Sequence, residues 1–209
     1  MIKAEVTVNG VISRAATTRI SKDGKTYTQL SLTVNVGNVD KETLPIEISV
    51  IKDGYNANEA SLCTYGTRAE IIGILTFKKR GENMYVNLSA KEIHLNPASV
   101  TDVINGEMEF RGTLGKQIDE RTDKNGKPYQ LFSGYSTEKV NDAFEFTWVR
   151  FARFSGDVCN ILYPSAKVEV KGKLAITVFH KRLNLDCRVS EIKEWVKQAY
   201  QETKEELPF

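Results

Sequence analysis

Histidine and cysteine are scarce in this 209-residue chain, with two of the first and three of the second. His94 and His180 are too few for a multi-histidine metal centre. Cys63, Cys159 and Cys187 make neither a CxxC pair nor an even-numbered disulfide framework. A reducing, cytoplasmic setting is therefore expected, with no metal and no cofactor. Cys63 and Cys159 have apolar neighbours, which suits small buried side chains better than nucleophiles. Long hydrophobic runs are missing, so no helical membrane span is expected, and Met1-Ile2-Lys3-Ala4-Glu5 leads into no signal-peptide core. An excess of one charge is also missing: 29 Lys and Arg against 27 Asp and Glu leave a formal +2. That excludes a histone-like polycation, and any surface for nucleic acid must be a local cluster. With 41% hydrophobic residues the chain is too apolar to be disordered. No Walker-type glycine loop and no pairing of carboxylates stands out, so no enzymatic activity is expected.

A repeat is present. Gly24-Lys25-Thr26-Tyr27 returns as Gly126-Lys127-Pro128-Tyr129, 102 residues on, and Gly10 and Gly112 keep that spacing. Further along the spacing is 99: Gly73-Ile74-Leu75 matches Gly172-Lys173-Leu174, and Glu92-Ile93 matches Glu191-Ile192. Two copies of one fold explain this, placed at 1–98 and 105–196, with a linker at 99–104 and an acidic tail at 197–209.

Within each copy hydrophobicity alternates with period two, the mark of strands with one buried and one wet face. Leu30, Leu32 and Val34 alternate with Gln29, Ser31 and Thr33; Ile46, Ile48 and Val50 alternate with Glu47 and Ser49; Val168 and Val170 alternate with Glu169 and Lys171. Asp23-Gly24 and Asn125-Gly126 read as two-residue hairpin turns. Another hairpin is expected at Lys79-Arg80-Gly81-Glu82, and its counterpart near His180 lacks the glycine. Short helix-compatible stretches follow the third strands at 58–65 and 157–163, the second with Asp157 as a candidate cap. The expected fold is all-β: two tandem OB-type five-stranded barrels, each with a short helix between strands 3 and 4, plus the short C-terminal tail.

Several motifs give the sequence a family likeness. Gly10-Val11-Ile12-Ser13-Arg14 is followed by Arg19 and Asp23-Gly24-Lys25, and Gly112-Thr113-Leu114-Gly115-Lys116 by Arg121 and Asn125-Gly126-Lys127. Trp148, Arg150 and Phe154 stand at the spacing of a third-strand signature, Gly172-Lys173-Leu174 closes the fourth strand, and the chain ends Glu205-Glu206-Leu207-Pro208-Phe209. In this register the chain resembles the bacterial single-stranded-DNA-binding protein family. The resemblance implies sequence-nonspecific binding of single-stranded DNA in replication, recombination or repair. Most relatives carry one barrel and form tetramers, so two barrels in one chain imply a homodimer, as in tandem-barrel members. The resemblance also implies docking of replication or repair proteins on the tail residues Glu205, Glu206, Leu207, Pro208 and Phe209. The family's long Gly/Gln-rich linker before that tip is absent.

Such proteins stack bases on flat side chains and neutralise phosphates with Lys and Arg. In Thr147-Trp148-Val149-Arg150-Phe151, alternation puts Val149 and Phe151 in the core and Trp148 and Arg150 together on the wet face. Trp148 is the leading candidate stack, with Tyr27, Tyr129, Phe77, Tyr85 and Phe179 as further ones. Candidate phosphate contacts are Arg150, Arg14, Arg19, Lys25, Lys78, Lys79, Arg80, Lys116, Arg121, Lys127, Lys181 and Arg182. Aligning the third strands puts Pro45 at the place of Trp148 and Glu47 at that of Arg150, which makes the second copy the stronger binder. Two rival readings remain: an accessory protein of the primosomal or recombination-mediator type acting through protein contacts, and an RNA-binding barrel.

Overall fold

Period-two sequence becomes strand almost throughout. The structure, a computed structural model, describes residues 1–37, 43–54, 56–155, 157 and 159–196. The first module comprises β1 (Ile2–Ile20), β2 (Thr26–Gly37), β3 (Thr43–Asp53), α1 (Ala57–Leu62), β4 (Arg68–Arg80) and β5 (Asn83–Leu95). The second comprises β6 (Val103–Thr122), β7 (Pro128–Val140), β8 (Ala143–Arg153), β9 (Lys167–Phe179) and β10 (Arg182–Glu194). No helix among the described residues is long and apolar enough to cross a membrane.

The pairing scheme is the same in both modules. Antiparallel ladders join β1 to β2, β2 to β3, β4 to β5 and β4 to β1, and a parallel ladder joins β3 to β5. In the second module the equivalent ladders are β6–β7, β7–β8, β9–β10, β6–β9 and the parallel β8–β10. Inward positions bury Val6, Leu32, Ile48 and Leu75 in the first module and Phe110, Val149, Phe151 and Leu174 in the second. The repeated glycines mark close approaches of strands. A Cβ on Gly73 would lie 2.2 Å from the Ser89 carbonyl oxygen, and one on Gly172 would lie 2.1 Å from that of Arg188.

Three sequence expectations need correction. The Asp-Gly and Asn-Gly turns are not two-residue loops. Three residues are enclosed by Ser21 N–H donating to the Lys25 carbonyl, and likewise by Asp123 N–H donating to that of Lys127, with Gly24 and Gly126 at φ 75° and 78°. The left-handed glycine at the third loop position is the bulged alternative to a tight primed turn.

The second correction concerns the helices. Among the described residues only the first module carries one, where the Asn56 side chain accepts from the N–H groups of Asn58 and Glu59. In the second module residues 159–166 make turns instead, closed by Leu162 N–H to the Cys159 carbonyl and Ala166 N–H to that of Tyr163. Ala57, Glu59, Ala60 and Leu62 are good helix formers, whereas Asn160 and Ile161 are weaker and Pro164 disfavours helix at Tyr163. Among the described residues no helix starts at Asp157, whose carboxylate accepts from the Ser155 hydroxyl.

The third concerns register. Thr33 pairs with Glu47, and Tyr135, 102 residues after Thr33, pairs with Trp148. Glu47 therefore stands where Trp148 does, Ser49 where Arg150 does, and Pro45 where Phe146 does, a two-residue slip from the sequence alignment. The second module still holds the aromatic and the first the carboxylate.

The modules are joined edge to edge by a β1–β6 ladder from Ile2↔Phe110 to Asn9↔Val103. Ala4 faces Met108 and Val6 faces Gly106, so each pair has its copy-exchanged mate across Glu5↔Glu107. This is the self-complementary geometry of a two-fold interface, realised within one chain. The linker is tied down nearby: Asp102 accepts from the backbone and side-chain N–H groups of Asn35 at 2.8 and 2.7 Å and from Arg68 at 2.8 Å. Arg68 also donates to buried Asn9, whose amide donates to the Ser99 carbonyl.

Candidate nucleic-acid interface

β8 reads Ala-Phe-Glu-Phe-Thr-Trp-Val-Arg-Phe-Ala-Arg, and alternation sorts it cleanly. Thr147, Val149 and Phe151 are buried, while Phe144, Phe146 and Trp148 are 60%, 44% and 48% exposed and Arg150 continues the outer row. Successive members of such a row lie about 6.6 Å apart along the strand. Three large rings partly in solvent on one strand form an exposed apolar row, which is costly in hydrophobic terms.

The rings support one another. Tyr135 on β7, the cross-strand partner of Trp148, lies 4.9 Å from it between centroids and 5.5 Å from Phe146. Gly115 lies beside this cluster and close to Ser133: a Cβ there would sit 2.9 Å from the Ser133 hydroxyl and at ordinary contact distance, 3.5 Å, from the Trp148 ring.

Phe146, Trp148 and Arg150 line a cavity of about 360 Å³ that belongs to both modules. Its apolar floor includes Leu44, Met84 and Leu183, and Lys79, Lys181 and Arg182 stand at its rim. A neighbouring cavity of about 480 Å³ shares Leu44, Met84 and Leu183 and continues past Pro45, Glu47, Ser49 and Tyr85. Together they form a trough from the β8 row to the first module, bordered by both hairpin tips. At the β9–β10 tip, His180 and Lys181 have φ of 48° and 59°, unusual for residues with a Cβ.

The trough gathers Trp148, Arg150, Lys79, Lys181, Arg182 and Tyr85 from the residues singled out in the sequence. Phe77 is elsewhere: it is 7% exposed, on the inward parity of Leu75, and offers no ring to a ligand. Phe179 is exposed, with its ring against His180 at 4.0 Å between centroids. Tyr27 is half-buried opposite Arg19, near the β1–β2 turn with exposed Lys25. Tyr129 has one face covered by Phe154, 5.2 Å away and nearly parallel, and Arg188 lies over the Phe154 ring.

The cations fall into two groups. Arg14, Arg80, Arg121, Arg150 and Arg182 are ion-paired with Glu47, Glu138, Asp119, Asp186 and Glu82. Hydrogen bonding to Glu138 raises the Arg80 pKa further, and hydrogen bonding to Asp186 does the same for Arg150. Arg19, Lys25, Lys78, Lys79, Lys116 and Lys127 have no carboxylate within ion-pair distance among the described residues. The tail residues 205–209 lie outside the described residues.

Sequence reasoning missed Phe144, Phe146 and Tyr135. The first two share the parity of Trp148 and were detectable by extending the alternation two steps toward the N-terminus. Among the described residues no group of three or more His, Cys, Asp or Glu side chains is placed to hold a metal ion. Burial pushes the Cys187 thiol up to about 12 and raises that of Cys63, so neither is a thiolate at neutral pH.

No protein-family model matches the sequence, and no curated protein matches it. Among solved structures, the wild-type single-stranded DNA binding protein from Thermus aquaticus is similar at 16% identity over 95% of each chain, with a TM-score of 0.49. A deletion mutant of that protein matches at 16% identity over 95% of this chain and 97% of its own, with a TM-score of 0.47. The protein priB from Ralstonia solanacearum matches at 14% identity over 46% of this chain and 99% of its own, with a TM-score of 0.32. These likenesses are distant, and the functional reading rests on the surface itself.

Proposed function

We propose that this chain is a non-enzymatic protein that binds single-stranded DNA without sequence preference, using two OB-type barrels that share one trough. The exposed row Phe144-Phe146-Trp148 carries the reading, together with Lys79, which lines the same cavity as Phe146 and Trp148 and has no carboxylate within ion-pair distance among the described residues. Every base has a flat face and every nucleotide a phosphate, so rings and ammonium groups in sequence hold a strand of any sequence. The series of ladders that leaves and returns to β1, and likewise to β6, supports reading each module as an OB-type barrel. The second module dominates at the third strand, because Glu47 in place of Trp148 repels phosphate and stacks nothing.

In the cell the protein coats exposed strands during replication, recombination or repair, acts as a homodimer, and recruits partner proteins through Leu207, Pro208 and Phe209. Deleting those three residues is expected to spare DNA binding and abolish capture of replication proteins; unchanged capture contradicts the tail's role. A doubled mass in sedimentation tests the dimer, and a monomer at working concentration contradicts it. The binding itself is tested by titrating labelled oligo(dT), oligo(U) and duplex at two salt concentrations. The expected result is tight binding of oligo(dT), weaker binding of the others, and a steep loss with salt. Negligible oligo(dT) binding contradicts the function, and a preference for oligo(U) turns it toward RNA.

A further inference from the structure

Arg150 stands on the aromatic row, yet its charge is already engaged. Nε donates to Asp186 Oδ1 at 2.6 Å, and Nη2 donates to Asp186 Oδ2 at 2.9 Å and to Thr177 Oγ1 at 3.1 Å. The Thr177 hydroxyl donates to that same Oδ2 at 2.6 Å. Asp186 is the direct partner of Arg150 in the parallel β8–β10 ladder, so backbone register holds the carboxylate in place. The Asp186 side chain is 25% exposed and that of Arg150 is 60% exposed.

Hydrogen bonds to a guanidinium lie in its plane and meet its edge. Asp186 and Thr177 therefore fix the orientation of the plane while leaving its broad faces open. To claim this charge, a phosphate must compete with a bidentate carboxylate set on a neighbouring strand. A base needs only an open face, and guanidinium planes are surfaces on which unpaired bases stack. Lys79, at the rim of the same trough, has no carboxylate within ion-pair distance among the described residues.

We infer that Arg150 is a stacking platform extending the row Phe144-Phe146-Trp148 by one step, held flat by Asp186 and Thr177, and that phosphate neutralisation beside it falls to Lys79. This rests on the single-strand-binding reading above and assigns the division of labour within that site. The two roles differ in salt dependence. A neutralised phosphate adds about 0.7 to the slope of log affinity against log salt for single strands, whereas a stack adds affinity without slope.

The test is titration of the full chain with labelled oligo(dT) across a salt series, for wild type, Arg150→Lys, Asp186→Asn and Lys79→Ala, with circular dichroism confirming the fold. Arg150→Lys keeps the charge and loses the plane; it is expected to bind roughly tenfold more weakly at the wild-type slope. Asp186→Asn frees the charge and is expected to steepen the slope, by up to about 0.7. Lys79→Ala is expected to flatten it by about the same amount. Wild-type affinity in Arg150→Lys overturns the stacking role. If Arg150→Lys does not fold, Arg150→Ala decides: a slope flattened by about 0.7 overturns the stacking role, because the charge was then serving a phosphate. If the wild type binds no single strand, the proposed function fails. If the wild type binds with a Lys79-dependent slope and Arg150→Lys is unaffected, only this inference fails.

Discussion

Trp148 is half in solvent although a ring of that size gains most from full burial. What keeps it outside is parity: Thr147 and Val149 are buried on either side of it, so the indole has no route inward without turning β8 over. Tyr135 braces it instead, which restricts the ring before any ligand arrives. Trp148→Ala is expected to lower oligo(dT) affinity by about 1–3 kcal/mol with the melting temperature nearly unchanged. Phe77→Ala should do the reverse, costing about 3–5 kcal/mol of stability while binding at permissive temperature is kept. Equal losses of binding in the two variants contradict the assignment of one ring to the surface and the other to the core. The placement of Trp148 and Arg150 was legible because alternation needs only nearest neighbours. Phe77 was misread because Lys78, Lys79 and Arg80 suggested a loop, although Leu75 and Ile71 already put it on the inward parity. The grip of Asp186 on Arg150 was not legible, since it depends on a parallel ladder between strands distant in sequence.

At the scale of elements, the same fold tolerates different solutions in its two copies. One third-to-fourth connection is capped by Asn56 and forms a helix turn; the other has Pro164 and forms turns. Strands and their repeated glycines were readable from the sequence because close approach to a neighbouring carbonyl admits no side chain. The register of β3 against β8 was not, because length changes fall in the loops on either side and alternation is blind to a slip of two. The β9–β10 turn carries backbone strain, with His180 and Lys181 both left-handed. Such a conformation costs about 1–2 kcal/mol per residue without glycine. Replacing the pair, His180→Asn with Lys181→Gly, is expected to raise the melting temperature by about 2–4 °C per kcal/mol gained while weakening DNA binding. A lower melting temperature contradicts the strain argument. Strain at a tip that borders the trough fits a place where a side chain matters more than comfort.

Across the whole molecule the two modules are held in one arrangement by the β1–β6 seam and by Asp102 at the end of the linker. Asp102 is largely buried, which pushes its pKa up, but the Asn35 N–H groups and Arg68 outweigh burial and hold it below the usual carboxylate value. Because the folded value is depressed, its stabilisation is fully present above the unfolded value near pH 4 and is lost as pH falls through the lower folded value. Asp102→Ala is expected to cost about 2–3 kcal/mol at pH 7, and the gap from wild type should stay constant from pH 8 to 5 and close below about pH 4. A gap that closes between pH 8 and 6 contradicts this account. The fixed arrangement sets the trough that both modules line, so the central claim is one of place: an unpaired strand lies along β8. Photocrosslinking of oligo(dT) followed by peptide mapping tests it most directly. Adducts concentrated on the peptide that carries Phe144, Phe146 and Trp148, with further ones at Tyr85, are the expected result; a modified protein whose β8 peptide is untouched contradicts it.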